Sequence, residues 1–341
     1  MNKPTNDKYP PVPLPSEEEI ASLKAGGMAP LQQHIYKAYL ELKRICEQND
    51  IQFWACGGTL IGTIDHRGFI PWDDDMDIYM PRADYERFIE IVLNENNEQY
   101  GISCMEDGRH LCPYYFAKFY ATDSTVWEQK MYPVIIGPWI DIFPLDEYND
   151  EEGAALNDEY IIAHAKYRRS IAIQSWRDIA YDIFHFRGMN GWMGLIRKCW
   201  SSLFRKKYFK RINELKQRIS QVKGDIYRYY GQGWSGTEIA QKHTFEKKYI
   251  GTPKWLPFED TSMSVPEFYH EILIKGYPRY WTTPPEEERY GGHPCYYIDL
   301  DHVKTIEQVR AEVGNDHERV TTIFTFAEFW HTFKDRLCHL W

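Results

Sequence analysis

The sequence predicts an α+β protein with a mixed sheet, on three observations. Two segments, Leu31 to Ile45 and Ala83 to Asn94, carry apolar residues at helical spacing. Between 101 and 143, strand-like runs follow one another too closely for helical crossovers and suit hairpins. Finally, 43% hydrophobic and 26% charged residues over 341 positions describe a folded chain with a real core, long enough for about two domains or one elaborated domain.

Taken in order, residues 1–15 hold five prolines and are expected to form a flexible tail. A core spanning 16–150 follows. Ser16 and Glu19 have capping-box spacing for a short helix. The second helix presents Leu31, Ile35, Ala38, Leu42 and Ile45 on one face and ends near Asn49-Asp50. Ile51 to Cys56 reads as a buried strand, which Gly57-Gly58-Thr59 breaks before a helical run from Leu60 to His66. After a turn at Gly68 to Trp72, Asp75 to Met80 alternates polar and apolar residues as a strand with one wet face, and Pro81 stops it. Further strands are expected at Gly101–Met105, Tyr114–Tyr120, Ser124–Trp127 and Trp139–Phe143.

The composition changes after Asp150. Residues 151–250 are expected to form a mostly helical, basic insertion: from Tyr181 to Ser220 ten Lys or Arg stand against two acidic residues, interleaved with Trp192, Met193, Leu195, Trp200 and Phe204. Such an amphipathic stretch packs one side on a core and solvates the other; a peripheral membrane contact through 187–218 is its functional alternative. Residues 251–341, rich in proline and aromatics at first, are expected to complete the active site.

A net charge of −10 disfavours phosphate-driven nucleic-acid binding. Seven scattered cysteines without a CxxC pair suit a reducing compartment, and the N-terminus has no apolar leader; the expectation is a cytoplasmic protein without a membrane span. Cys104, His110 and Cys112, with His293 and Cys295, are zinc-ligand types at spacings that fit no usual zinc site. No Gly-x-Ser-x-Gly or comparable nucleophile motif occurs.

The chemistry concentrates in acidic residues. Two apart on a strand, Asp75 and Asp77 share a face with Cα atoms ~6.5–7 Å apart, so both carboxylates can converge on one hard cation, Mg²⁺ or Mn²⁺. Upstream, Gly57, Gly58 and Thr59 let backbone N–H groups and a helix N-terminus approach phosphate oxygens. Downstream, Asp141 lies among strong strand formers, where a buried carboxylate requires a cation or donors. A glycine turn, paired carboxylates and a third carboxylate on a later strand make the layout of a polymerase-β-like nucleotidyltransferase core. The catalytic and metal-binding residues expected are therefore Asp75, Asp77 and Asp141.

The runs Gly57-Gly58-Thr59-Leu60-Ile61-Gly62 and His66-Arg67-Gly68-Phe69-Ile70-Pro71-Trp72-Asp73-Asp74-Asp75-Met76-Asp77-Ile78 resemble the signature of the LicD family, which includes bacterial phosphocholine transferases and relatives of fukutin and fukutin-related protein. Ala117-Lys118, Asp123-Ser124-Thr125, Asp141 to Asp146, Pro284-Pro285-Glu286-Glu287, Arg289 and His293 follow in the family's order. The resemblance covers about 31–150 and 255–295 and implies metal-dependent transfer of a phospho-alcohol from a CDP-alcohol donor to a sugar hydroxyl of a surface glycan or lipid-linked precursor, releasing CMP. On that reading Gly57, Gly58 and Thr59 cradle donor phosphates, Lys118 neutralises one, and His293 contacts donor or leaving group. Asp141 completes the metal site or serves as general base; Trp72 and His66 are scaffold. The bland alternatives are a solvated Lys118 and a structural His293. The rival functions are nucleotidyl transfer releasing pyrophosphate, and a silent nucleotide- or glycan-binding protein.

Overall fold

The computed structural model describes residues 16–23, 27–95, 97–107, 112–172, 200, 203–289, 293 and 295–313. The expected tail 1–15 lies outside them, as do His110 and residues 187–199 of the basic segment. Helix α1 (Glu17–Leu23) starts as the Ser16 carbonyl accepts the Ile20 N–H at 3.0 Å. Helix α2 (Pro30–Gln48) opens on a proline, which has no N–H to lose there, and buries Ile35, Ala38, Leu42 and Ile45. The predicted strand at Ile51–Cys56 shrinks to β1 (Trp54–Ala55), because only these two residues meet a partner strand. The glycines also differ from expectation. They do not break the chain before a helix but begin one, α3 (Gly57–Asp65), after an extended Cys56.

Strand β2 (Asp77–Pro81) leads directly into α4 (Arg82–Glu95). Next come β3 (Tyr100–Ser103), β4 (Ala117–Ala121), β5 (Thr125–Trp127) and β6 (Trp139–Tyr148). The central sheet has the order β1-β2-β6-β4-β3, with β2 and β6 parallel and the other neighbours on that path antiparallel. This bears out the mixed α+β expectation. One face carries Ile78, Met80, Phe119, Ile140 and Ile142, which join α2 and α4 in the main core. The period of two then sends Asp77, Lys118 and Asp141 to the opposite face.

Strand β6 is twice as long as expected, and its second half finds its own partners. The described part of 151–250 begins with α5 (Glu152–Ile171) and includes α6 (Arg205–Ile219), whose Ile212, Leu215 and Ile219 are buried with Leu156, Tyr160 and Tyr167 of α5. It then returns as β7 (Ile226–Arg228) and β8 (Thr244–Glu246), with β7 pairing antiparallel to Asp146–Tyr148. The insertion is thus partly an extension of the sheet. A hairpin, β9 (Lys254–Phe258) and β10 (Thr261–Val265), docks on α2, where the Ser262 carbonyl accepts from Tyr39 Oη at 2.6 Å and from Lys43 Nζ at 3.1 Å. Strand β11 (Tyr297–Asp299) pairs with β5, so the chain from 251 onward returns to the core twice.

At the join between β2 and α4, Arg82 donates from Nε and one terminal nitrogen to Asp146 on β6, at 2.9 and 2.6 Å, with Asp146 buried. Asp146→Ala leaves the guanidinium charge in the core and is expected to cost about 3–5 kcal/mol. Urea unfolding checks this; a loss under 1 kcal/mol contradicts it.

Candidate active site

Two chain segments, 75–77 and the strand that carries Asp141, bring the predicted carboxylates together. Asp77 heads β2 and is the register partner of Asp141 on parallel β6, so the backbone itself puts the two side by side. Asp75 precedes the strand instead of lying in it, yet joins them: one oxygen from each of Asp75, Asp77 and Asp141 lies within 4.8 Å of the others. The Asp141 N–H donates to the Met76 carbonyl at 2.8 Å, fixing the residue between the paired aspartates.

The start of α3 faces this cluster. Thr59 Oγ1 accepts the Asp77 N–H at 2.8 Å, so this threonine also aims the strand. Gly57 has φ +54°, a left-handed conformation that disfavours other residues, and a Cβ there would stand 3.1 Å from Asp77 Oδ2. A Cβ on Gly58 would stand 2.7 Å from Asp73 Oδ2. The glycines therefore let the carboxylates approach the helix start.

Lys118 is not a solvated charge. It is 1% exposed, and its ammonium donates to Asp141 Oδ1 at 2.9 Å and pairs with Glu128 at 3.2 Å. Trp139 and Tyr114 wall it in, with ring centres 3.9 and 4.4 Å from Nζ. His293 lies on the other flank: its N–H donates to Asp74 Oδ2 at 3.0 Å, and Nδ1 lies 3.1 Å from Asp74 Oδ1 and 3.2 Å from Asp75 Oδ2. Trp72 and His66 pack edge to face, ring centres 6.0 Å apart, beside the acidic loop.

Charge is unbalanced here. Asp73, Asp74, Asp75, Asp77, Asp141 and Glu128 face Lys118 and His293. Burial, then the charges of Asp75 and Asp141, push the Asp77 carboxyl well above the ordinary range. Burial pushes Asp141 up to about 6 against the pull of Lys118, and burial with the Asp75 charge pushes Asp73 up to about 8. Hydrogen bonding to Asp74 raises His293 to about 9, which keeps it cationic at neutral pH. Burial and mutual repulsion raise these carboxyls together, and added positive charge would relieve the second of the two. The donor set is three carboxylate oxygens from two segments, the hard chemistry that Mg²⁺ or Mn²⁺ prefers, so these residues fit such a cation.

Several neighbours had no role assigned from the sequence. Asp73 and Asp74 lie inside the signature run but were given no task of their own. Glu128 lies outside every motif. Tyr277, whose hydroxyl is 3.7 Å from the Cβ position of Gly57, comes from the C-terminal end of a helix far along the chain. Cys104 and Cys112 are buried in the core and belong to neither of the two candidate ligand clusters among the described residues, Asp75-Asp77-Asp141 and Asp74-Asp75-His293.

Glycine-led helix, facing carboxylates and mixed sheet have a class. Residues 50–171 match the LicD/FKTN/FKRP nucleotidyltransferase domain, and the match runs past residue 150 through α5. The chain thus carries a LicD-type domain over residues 50–171. It is 29% identical over 252 residues to the lipopolysaccharide cholinephosphotransferase LicD of Haemophilus influenzae, covering 73% of this chain and 89% of that protein. An uncharacterised protein of Rickettsia prowazekii is 32% identical over 88 residues, or 26% of this chain and 32% of that one.

Proposed function

We propose that this protein is a LicD-like phosphotransferase with a polymerase-β-like core, moving a phospho-alcohol such as phosphocholine from a CDP-alcohol to a sugar hydroxyl of a surface glycan or lipid-linked precursor. The observation that carries the reading is the convergence of Asp75, Asp77 and Asp141 beside the glycine-led start of α3. In such a transfer the P–O bond to the acceptor oxygen forms, the P–O bond to CMP breaks, and the hydroxyl proton must leave. Asp75, Asp77 and Asp141 would hold Mg²⁺ or Mn²⁺, which supplies neutralisation of developing phosphate charge. Asp141, held by Lys118 at one oxygen, keeps the other for the cation or the hydroxyl proton. Backbone N–H groups of Gly57 and Gly58 bind donor phosphate, and His293, cationic and half-exposed, meets donor or leaving group.

Incubation with labelled CDP-choline and a candidate glycan tests this. Release of CMP with label on the glycan supports it; pyrophosphate from CTP supports nucleotidyl transfer; no turnover of any CDP-alcohol leaves a silent binding protein. Separately, Mg²⁺ with CDP at about a hundred times its Kd is expected to add ~2.7 kcal/mol and raise the unfolding midpoint by several degrees. The proton competes for Asp141, pushed up to about 6, so Mg²⁺ affinity should rise with pH through that region, at most about tenfold per unit for each proton displaced. An affinity flat from pH 5 to 7 removes Asp141 from the ligand set.

This reading puts the chain at the cytoplasmic face of a membrane that carries its acceptor. Among the described residues no helix is long and apolar enough to span one, while Trp200 and Leu203 are 63% and 78% exposed beside Lys206, Lys207 and Lys210. Each basic residue near an anionic surface contributes about 1 kcal/mol. Sedimentation with phosphatidylserine vesicles is expected to fall by at least tenfold in affinity on charge reversal of Lys207 and Lys210 together; equal binding of parent and variant discards the contact.

A further inference from the structure

We infer that Gln32, far from every motif of the site, is a positioning residue that sets the affinity of the acidic cluster for its cation; this rests on the metal reading above. Gln32 lies in the first turn of α2 and is 2% exposed. Its amide is used from both ends. Oε1 accepts the Ala29 N–H at 3.0 Å, while Nε2 donates to the Ile70 carbonyl at 3.0 Å and the Asp73 carbonyl at 2.9 Å.

The two accepting carbonyls bracket the turn that launches the acidic run, which is closed by the Asp73 N–H donating to the Ile70 carbonyl at 2.9 Å. One side chain thus holds both ends of a four-residue turn against a helix. The carbonyl of Asp73 belongs to the peptide that leads into Asp74, two residues before Asp75. A rotation there would swing Asp75 away from Asp77 and Asp141, whose own positions β2 and β6 fix by their register. Asp75 lies outside the strand, so no ladder hydrogen bond does for it what the sheet does for the other two. Gln32 supplies that restraint. The opposite end of the loop is tied independently: the Glu259 carboxylate accepts the Phe69 N–H at 2.9 Å, and the Glu259 N–H donates to the Arg67 carbonyl at 2.7 Å.

Partners that orient ligands from outside the metal's immediate contacts typically alter affinity 10–100-fold. Gln32→Met removes both donors at similar volume. Its Mg²⁺ half-saturation, read by calorimetry on the full chain without donor, is expected to rise about 10–100-fold. Gln32→Glu keeps an acceptor for Ala29 and retains at most one donor for the two carbonyls, so it should give a rise of the same sign. Ala29→Pro is the structural control. Ala29 has φ −59°, which proline adopts, and only the cap hydrogen bond is lost, so the half-saturation should stay at the parent value. Folded Gln32 variants that bind Mg²⁺ like the parent, while Asp77→Asn does not bind, overturn the inference and leave the metal reading intact. Asp77→Asn binding like the parent overturns the reading and the inference together.

Discussion

Asp77→Asn is expected to lower turnover by about three orders of magnitude at saturating Mg²⁺ while leaving the protein folded. A cation polarising phosphate contributes several kcal/mol to the transition state, and each 1.36 kcal/mol is a factor of ten. Asparagine has the same shape and keeps the backbone bond to Thr59, so β2 and its register with β6 have no reason to move. Stability should change in the opposite sense. A carboxyl raised well above its unfolded value contributes stability at low pH that is lost as pH rises through the folded value. Removing that carboxyl removes the loss. In EDTA at pH 7.5 the variant should therefore unfold at or above the parent's midpoint, and Mg²⁺ should stabilise it far less than the parent. Near-parental kcat, or a large fall in the metal-free midpoint, would show that Asp77 serves the fold and not an ion.

That opposition of signs explains what could be read from the sequence. Wherever one local period decided the structure, it was legible: the spacing Ile35-Ala38-Leu42-Ile45 gave α2, and the alternation in Met76-Asp77-Ile78 put apolar residues in the core and a carboxylate on the other face. The site residues Asp75, Asp77 and Asp141 were legible because buried carboxylates conflict with their surroundings unless something charged is nearby. What failed depended on partners distant in sequence. Ile51 to Cys56 has strand composition throughout, but only Trp54 and Ala55 have a neighbour to pair with. Gly57 and Gly58 read as a break since glycine weakens helices, yet at a helix start the same lack of a Cβ admits Asp77 and Asp73. Strands β7 and β8 were hidden in a segment whose basic and aromatic composition masks two three-residue runs, and only the overhang of β6 makes them strands. Gln32 gave no signal because an amide on a helix reads as solvated polar surface; its two acceptors lie about forty residues away.

Lys118 gives the second large effect, since its surroundings show a cation already committed to the protein. Two carboxylates and the faces of Trp139 and Tyr114 surround its ammonium, and burial, which alone would lower its pKa, is outweighed by Asp141 and Glu128. Lys118→Met fits the aromatic walls but leaves both carboxylates without their partner, and breaking a buried pair from one side costs about 3–5 kcal/mol. Most of that loss should appear in EDTA and part should be recovered with Mg²⁺, because a cation held by Asp75, Asp77 and Asp141 would restore positive charge next to Asp141. Turnover is expected to fall about 10–100-fold at saturating donor, through misalignment of Asp141. The expectation of a lysine reserved for donor phosphate makes a different forecast: stability nearly unchanged, and the defect carried by KM for the donor. Denaturation with and without Mg²⁺, set beside the split between kcat and KM, separates the two. Lys118→Arg should not rescue, because a planar guanidinium does not fit a slot whose walls stand about 4 Å from a single nitrogen.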